Sequence, residues 1–500
     1  MVITKRHLHF WAPALLVAAA CWPATIAAQS DEPPADPSGS AAAPPMEDAP
    51  MGESAAASDS GGESAPPVLL EDSPAAAVEG GASDTGAADE GEGDAAGWGD
   101  WGADQVEETV FEGKIYGFID AYFEKVANTP ARDPNDPTQT IYETNPYEFD
   151  VLNANIMIQG SIFGRHRFFL NLAAPGSGSM GVDKTIAVRN AWVETPLLPG
   201  YLSVRAGKTY RRFGLYNEIL DAVPTFIGIE PPELFDPDHL MLTRTTNLML
   251  FGSAAFGSVV LNYAATTGND ERASGAFPVG LDVYLEYNSW LRLGTSFYTT
   301  GGDAQPTFGV GEGPPRGGVA DWMERDEFVV FGGYVQVQHD SGLILQAEYW
   351  QAQHDGTRDA GSLQLLAASG TLNPAQLARF FVDGDPDAGE RLDASYTVRT
   401  AYARLGYELA LGEHASLTPY LQVDYYSNPE TVAAKSLGGD NEAGLSDDGA
   451  FQKYTVGSVI RPVPQVALKV DGSAHVQEFN GKTEWYPELR LSFSFLWGLQ

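Results

Sequence analysis

Ten charged or titratable side chains crowd one stretch of the chain, Tyr210 to Asn247: Arg211, Arg212, Glu218, Asp221, Glu230, Glu233, Asp236, Asp238, His239 and Arg244. The same stretch holds Leu215, Ile219, Leu220, Phe226 and Ile227. A purely solvated loop has no need of such apolar side chains, so the mixture predicts a segment folded back against a wall of the protein. Opposed charges held across a narrow aqueous passage set up a transverse field that orients polar solutes. That is the chemistry of passage, and it makes or breaks no bond.

Bond-making chemistry finds little support. The turn Asp340-Ser341-Gly342 after His339 resembles a hydrolase fragment, yet it stands where a tight hairpin is needed. The eight histidines show no helical H-x-x-x-H spacing, so no metal site is expected. Gly309, Gly311 and Gly313 precede Pro314-Pro315, not a helix, and cradle no phosphate. Gly438-Gly-Asp-Asn-Glu442 and Asp447-Asp448 offer carboxylates to Ca²⁺, but their spacing matches no Ca²⁺ loop and predicts a solvated acidic segment. No catalytic residue and no cofactor is assigned. A net charge of −38 opposes nucleic-acid binding.

The elements that must hold the charged stretch read as strands. In Leu281-Asp-Val-Tyr-Leu-Glu-Tyr287 apolar and polar positions alternate. Leu343, Leu345, Ala347 and Tyr349 share one face, with Gln346 and Glu348 on the other. Leu489, Leu491, Phe493, Phe495 and Trp497 oppose Arg490, Ser492 and Ser494. Period two puts one face in apolar surroundings and the other in water. A soluble sandwich and a membrane barrel both produce it.

The links separate the two. Sixteen segments are predicted as strands: 114–126, 147–162, 166–174, 184–195, 201–209, 247–256, 258–267, 279–288, 290–300, 327–339, 343–354, 393–410, 416–427, 450–461, 465–478 and 484–497. Short links such as Phe163-Gly164-Arg165, Asn288-Ser289 and Pro462-Val463-Pro464 alternate with mostly long polar ones, 127–146, 210–246, 302–326, 355–392 and 428–449. Short turns at one rim and long loops at the other are the signature of an outer-membrane barrel. Lipid satisfies no backbone N–H or C=O, so such a sheet must close. The expected fold is all-β, a 16-stranded antiparallel transmembrane barrel with short periplasmic turns and long outer loops. Phe163, Tyr201, Phe256 and Trp290 are expected at the turn rim, and Tyr349, Tyr425, Tyr426 and Trp485 at the loop rim. Alternation places Arg167, Arg205, Arg292, Lys469 and Arg490 on the inner wall, with Arg189 added although Asn190 and Trp192 blur its strand.

Ahead of the barrel, Lys5 and Arg6 precede an apolar run from Phe10 to Ala20, and Ala27-Ala28 offers a cleavage point. Residues 1–28 therefore read as a secretory signal peptide. Ala18-Ala19-Ala20-Cys21 fits a lipoprotein site less well, because Ala18 sits where Leu is favoured. The single cysteine lies in this segment, so the exported chain is expected to carry no thiol. From 29 to 108 the chain has 20 acidic residues and no Lys or Arg. Such a segment cannot bury enough apolar surface to offset its ordering entropy and is expected to be a disordered periplasmic extension. Without these segments 47 acidic groups face 27 basic ones, so residues 109–500 remain acidic.

Leu202-Ser-Val-Arg-Ala-Gly-Lys-Thr-Tyr-Arg-Arg-Phe-Gly214 resembles a stretch of the phosphate-selective porin (O/P) family, with Gly207-Lys208 and Phe213-Gly214 at the same spacing. Arg189-Asn-Ala-Trp-Val-Glu194 resembles the strand before it. Arg212 replaces a proline often found before Phe-Gly, and the acidic barrel departs from the many basic pore residues of that family's anion-selective members. The resemblance implies a 16-stranded outer-membrane porin, a homotrimer, in which the loop after strand five is the constriction. Outer-membrane lipids and small hydrophilic solutes or ions are the expected partners. The competing readings are an outer-membrane barrel hydrolase, for which no nucleophile, base and orienting group gather on neighbouring strands, and a soluble secreted β protein.

Overall fold

The computed structural model describes residues 111–133, 136–174, 186–217, 227–229, 231–232, 245–269, 278–303, 320–433 and 442–499. Residues 1–28, read as a signal peptide, and 29–108, read as an acidic extension, lie outside them. In chain order the strands are β1 (Phe111–Val126), β2 (Thr129–Asp133), β3 (Asp136–Glu143), β4 (Glu148–Ile162), β5 (His166–Ala174), β6 (Ala187–Leu198), β7 (Leu202–Thr209), β8 (Thr245–Phe256) and β9 (Val259–Gly268). They continue with β10 (Val279–Tyr287), β11 (Leu291–Asp303), β12 (Met323–Gln338), β13 (Leu343–Arg358), β14 (Asp393–Tyr407), β15 (Leu409–Ala410), β16 (Ser416–Ser427), β17 (Ala450–Val463), β18 (Val466–Phe479) and β19 (Lys482–Leu499).

Each wall strand pairs antiparallel with its neighbours in sequence, and β15 prolongs β14 along the edge of β16. β1 pairs with β4 on one side and with β19 on the other, from Ile115↔Leu499 to Val126↔Glu488. The sheet thus closes as an antiparallel barrel of 16 wall strands with no free margin, while β2 and β3 form a separate hairpin.

Burial is inverted relative to a soluble protein. Leu491, Phe493 and Phe495 are 43%, 47% and 42% exposed, whereas Ser492 and Ser494 between them are 5% and 0% exposed. Leu281, Val283 and Leu285 are exposed around buried Asp282 and Tyr284. A continuous apolar outer face is costly in water and stable in hydrocarbon, so this is the arrangement of a barrel that spans a membrane. The expected rim aromatics Phe163, Tyr201, Phe256, Tyr349 and Trp485 are exposed. Tyr426 is corrected: it shares the inner face of β16 with Tyr420 and Asp424, is fully buried, and packs against Phe451 at 5.8 Å.

Turn chemistry explains the short rim. Asn288 and Ser289 both take positive φ, the geometry that lets a two-residue link follow the twist of its strands. The opposite rim has one short link as well, Asn480-Gly481 between β18 and β19.

Two outer links hold more structure than the sequence reading expected. Between β13 and β14 lie helices α1 (Ala360–Ser369) and α2 (Pro374–Phe380). Asp359 caps α1 by accepting from Ser362 N, and Asn373 and Gln376 cap α2 reciprocally. Their buried face, Leu363, Leu366 and Phe380, joins Trp322 and the 428–449 link in one apolar cluster. Gln376 donates to Thr431 O and Asn373 to Ser446 O. The 127–146 link contains the β2–β3 hairpin, whose Arg132 pairs with Asp447 at 2.8 Å. Asp447, a Ca²⁺ candidate in the sequence, is thereby a tie between loops; residues 434–441 lie outside the described residues.

Candidate functional site: an inner loop and the wall it meets

The wall cations take their places strand by strand. Arg167 shares the inner face of β5 with Phe169 and Asn171. Arg205 on β7 donates to Glu194 on β6 at 2.9 Å and lies 4.2 Å over the Trp192 ring. Arg292 lies 4.6 Å over Tyr284 and 3.8 Å from Glu286. Arg490 stands between Glu124, at 3.7 Å, and Glu488. Lys469 is buried on β18.

Arg189 owes its position to an irregularity. Asn171 pairs with Asn190, but the next residue, Leu172, pairs with Val188, so Arg189 is an extra residue in β6. This β-bulge leaves Arg189 and Asn190 both buried, which period two cannot describe.

The described residues of the link after β7, the fifth wall strand, are 210–217, 227–229 and 231–232, and several of them contact inner-facing side chains. Gly207, near the end of β7, has φ +138; a Cβ there would lie 2.2 Å from Ala191 O, so only glycine lets β7 approach β6 this closely. Arg211 donates to Asn269 O at 2.9 Å and lies 4.7 Å over Tyr298, while Arg212 lies 4.6 Å over Phe251. Phe213 packs on Trp350 with centroids 4.3 Å apart. Gly214 has φ +64, and a Cβ there would stand 2.2 Å from a Glu348 carboxylate oxygen. Gly214 N donates to Ser296 Oγ at 3.0 Å and Leu215 N to Glu348 Oε2 at 3.1 Å. Tyr216 packs edge-on to Tyr402 and accepts from Arg404. Farther on, Ile227 joins Ile344, Tyr420, Val459 and Ala467, and Lys469 Nζ donates to Gly228 O at 2.9 Å. These contacts set the described loop residues against β8, β11, β13, β14, β16, β17 and β18.

Glu218, Asp221, Glu230, Glu233 and Asp236 lie outside the described residues. Lys208 stands on the outer face of β7, its amine 3.0 Å from Val188 O.

What the sequence reading missed is aromatic. Tyr284, Tyr298, Tyr334, Trp350, Tyr402 and Tyr420 all face inward from successive strands. Their parity, opposite to the exposed Leu and Val of the same strands, was the available signal. Several of their hydroxyls bind inner carboxylates: Tyr334 to Asp282 at 3.0 Å, Tyr402 to Glu348 at 2.8 Å and Tyr420 to Asp471 at 2.7 Å. Some inner carboxylates are thus held by hydroxyls and others, such as Glu194 and Glu488, by arginines.

No family model and no curated protein matches the chain. Among solved structures it is similar to the outer membrane channel DcaP of Acinetobacter baumannii, with 12% identity over 78% of this chain and 98% of that one, TM-score 0.46. It is also similar to an anion-selective porin from Comamonas acidovorans, at 11% identity over 77% and 99% of the chains, TM-score 0.45. A trimer form of OmpT, an outer membrane protein of Vibrio cholerae, matches at 10% identity over 78% and 100%, TM-score 0.46.

Proposed function

We propose that the chain is an outer-membrane porin, a water-filled channel for passive diffusion of small hydrophilic solutes or ions, narrowed by the loop after β7. One observation carries this reading: a loop is bonded to the inner face of a closed barrel whose outer face is apolar. Gly214 and Leu215 bond to Ser296 and Glu348, and Gly228 to Lys469. A soluble protein has no use for a polar interior inside an apolar shell.

In this reading Arg211 and Arg212, with the acids at Glu218, Asp221, Glu230, Glu233 and Asp236, form one side of the constriction. Arg167, Arg189, Arg205, Arg292, Lys469 and Arg490 form the wall, and the field between them orients the solute. A phosphate-selective channel of this build would hold its anion through these groups and not through Lys208. An even strand count puts both barrel ends at the short-turn rim, so the acidic extension is periplasmic. Homotrimeric assembly in the outer membrane completes the proposal.

The test is reconstitution of the purified full chain into planar bilayers under a salt gradient. Stepwise ohmic conductance with a defined reversal potential is expected. Release of the chain from membranes by a salt wash, or silence in the bilayer, would overturn the reading.

A further inference from the structure

One row of the sheet crosses the wall beside the short-turn rim: Glu112 on β1, Ser161 on β4, Arg167 on β5, Glu194 on β6 and Arg205 on β7. Each is the direct cross-strand partner of the next. Glu112 has the parity of buried Tyr116 and Phe118, Ser161 that of Asn155 and Met157, and Arg167 that of Phe169 and Asn171, so all three face inward. Water reaches this row. Ser161 and Arg167 stand two positions from either end of the turn Phe163-Gly164-Arg165; both are half-buried, and Glu112 is exposed.

The charges of the row are unequally engaged. Glu194 and Arg205 bond to each other at 2.9 Å. The side chains of Glu112, Ser161 and Arg167 have no hydrogen-bond or ion-pair partner among the described residues, and Glu112 and Arg167 do not pair with each other. Other wall cations differ: Arg292 stands by Glu286, Arg490 by Glu488 and Glu124, and Lys469 donates to Gly228 O.

Neighbouring strands are about 4.8 Å apart, so Glu112 and Arg167 rise from positions about 10 Å apart with a serine hydroxyl between them. A simple anion satisfies Arg167 and is repelled by Glu112 and Glu194; a simple cation meets the reverse. A solute with both an ammonium and a carboxylate satisfies the pair together, donating to Glu112 and accepting from the Arg167 fork. We infer that Glu112, Ser161 and Arg167 form a docking step for zwitterionic, amino-acid-like solutes at the short-turn mouth. The inference rests on the porin reading and adds the solute class to it. Exposed ion pairs are individually weak, which suits a step that the solute must leave again. Lys114, exposed two positions along β1, adds a second cation on this face, so a purely anionic solute is the alternative to be separated.

The experiment uses the full chain in planar bilayers at neutral pH, with KCl as the ion and glycine, acetate and methylammonium as probes. Wild type is expected to pass KCl and to lose current saturably in glycine, at lower concentration than in acetate or methylammonium. Glu112→Gln and Arg167→Gln each weaken the glycine effect about threefold, the loss of one exposed ion pair. Glu112→Gln also strengthens the acetate effect, because a repelling carboxylate is gone, whereas Arg167→Lys keeps the response to glycine. None of these side chains has a partner to lose, so the variants should assemble. Glycine affinity unaltered in Glu112→Gln, acetate acting more strongly than glycine on wild type, or a wild type that passes KCl without responding to glycine, each overturns the inference and leaves the porin reading intact. A wild type that passes no KCl overturns both.

Discussion

Arg358 and Glu430, 72 positions apart, meet in a buried two-point ion pair, Nε to Oε1 at 2.5 Å and Nη2 to Oε2 at 2.8 Å. Trp322 Nε1 adds a bond to the same carboxylate at 3.3 Å, and Arg358 also donates to Arg391 O and Asp393 O. Three outer links are therefore fastened at one point, with few hydrogen-bonding groups left over.

Removing one partner of such a pair costs about 3–5 kcal/mol, because the other charge stays buried and unpaired. Glu430→Ala is expected to free the helical link between β13 and β14. Limited proteolysis of proteoliposomes should cut within 359–392 many times faster, while the heat-dependent gel mobility of the barrel is unchanged. Equal cleavage rates would show that the ion pair does not hold the links.

Gly214→Val introduces a branched side chain where φ is +64 and where even a Cβ would lie 2.2 Å from the Glu348 carboxylate. The bonds of Gly214 and Leu215 to the wall should be lost. If the loop narrows the passage, single-channel conductance rises; an unchanged conductance would place the narrowest point elsewhere.

Arg211→Ala with Arg212→Ala removes two positive charges from the loop and leaves every wall strand intact. The barrel should assemble as before, and the reversal potential in a KCl gradient should move towards that of a more cation-selective channel. A reversal potential equal to that of wild type would remove both arginines from the constriction.

Leu491→Arg puts a charge on the lipid-facing side of β19, at a cost of about 2–4 kcal/mol near the bilayer midplane. Ser492→Arg, one position along on the inner face, should cost less because its charge stays in the aqueous interior. Urea titrations of folding into lipid vesicles give both values. The reverse order would contradict the assignment of the two faces.

The wall was legible because period two survives wherever one face meets lipid. Leu489 to Trp497 alternates in the sequence as it does in the barrel. The bulge at Arg189 was not, since an extra residue is invisible until the partner strand shows which residue it skips. The capped helix start Asn373-Pro374-Ala375-Gln376 carried a readable signal, an Asn with Gln three positions on and Pro between, within a link read only as polar. Of the apolar residues that the sequence reading singled out in 210–247, Leu215 and Ile227 pack against the inner wall. The anchor of that loop was not legible: Leu215 and Glu348 stand 133 positions apart, and no local pattern joins them. Tyr426 was misplaced because an aromatic residue near a rim reads alike whether it faces lipid or lumen.

Asp120 on the first strand accepts from Ser494 on the last, 374 positions later. A barrel sealed by its two extremities cannot finish folding while the ribosome still holds the final strand. Until then both margins remain open to any other extended chain. Closure must therefore follow synthesis of the final strand, and a chain shortened before residue 482 would leave β1 paired on its β4 side alone.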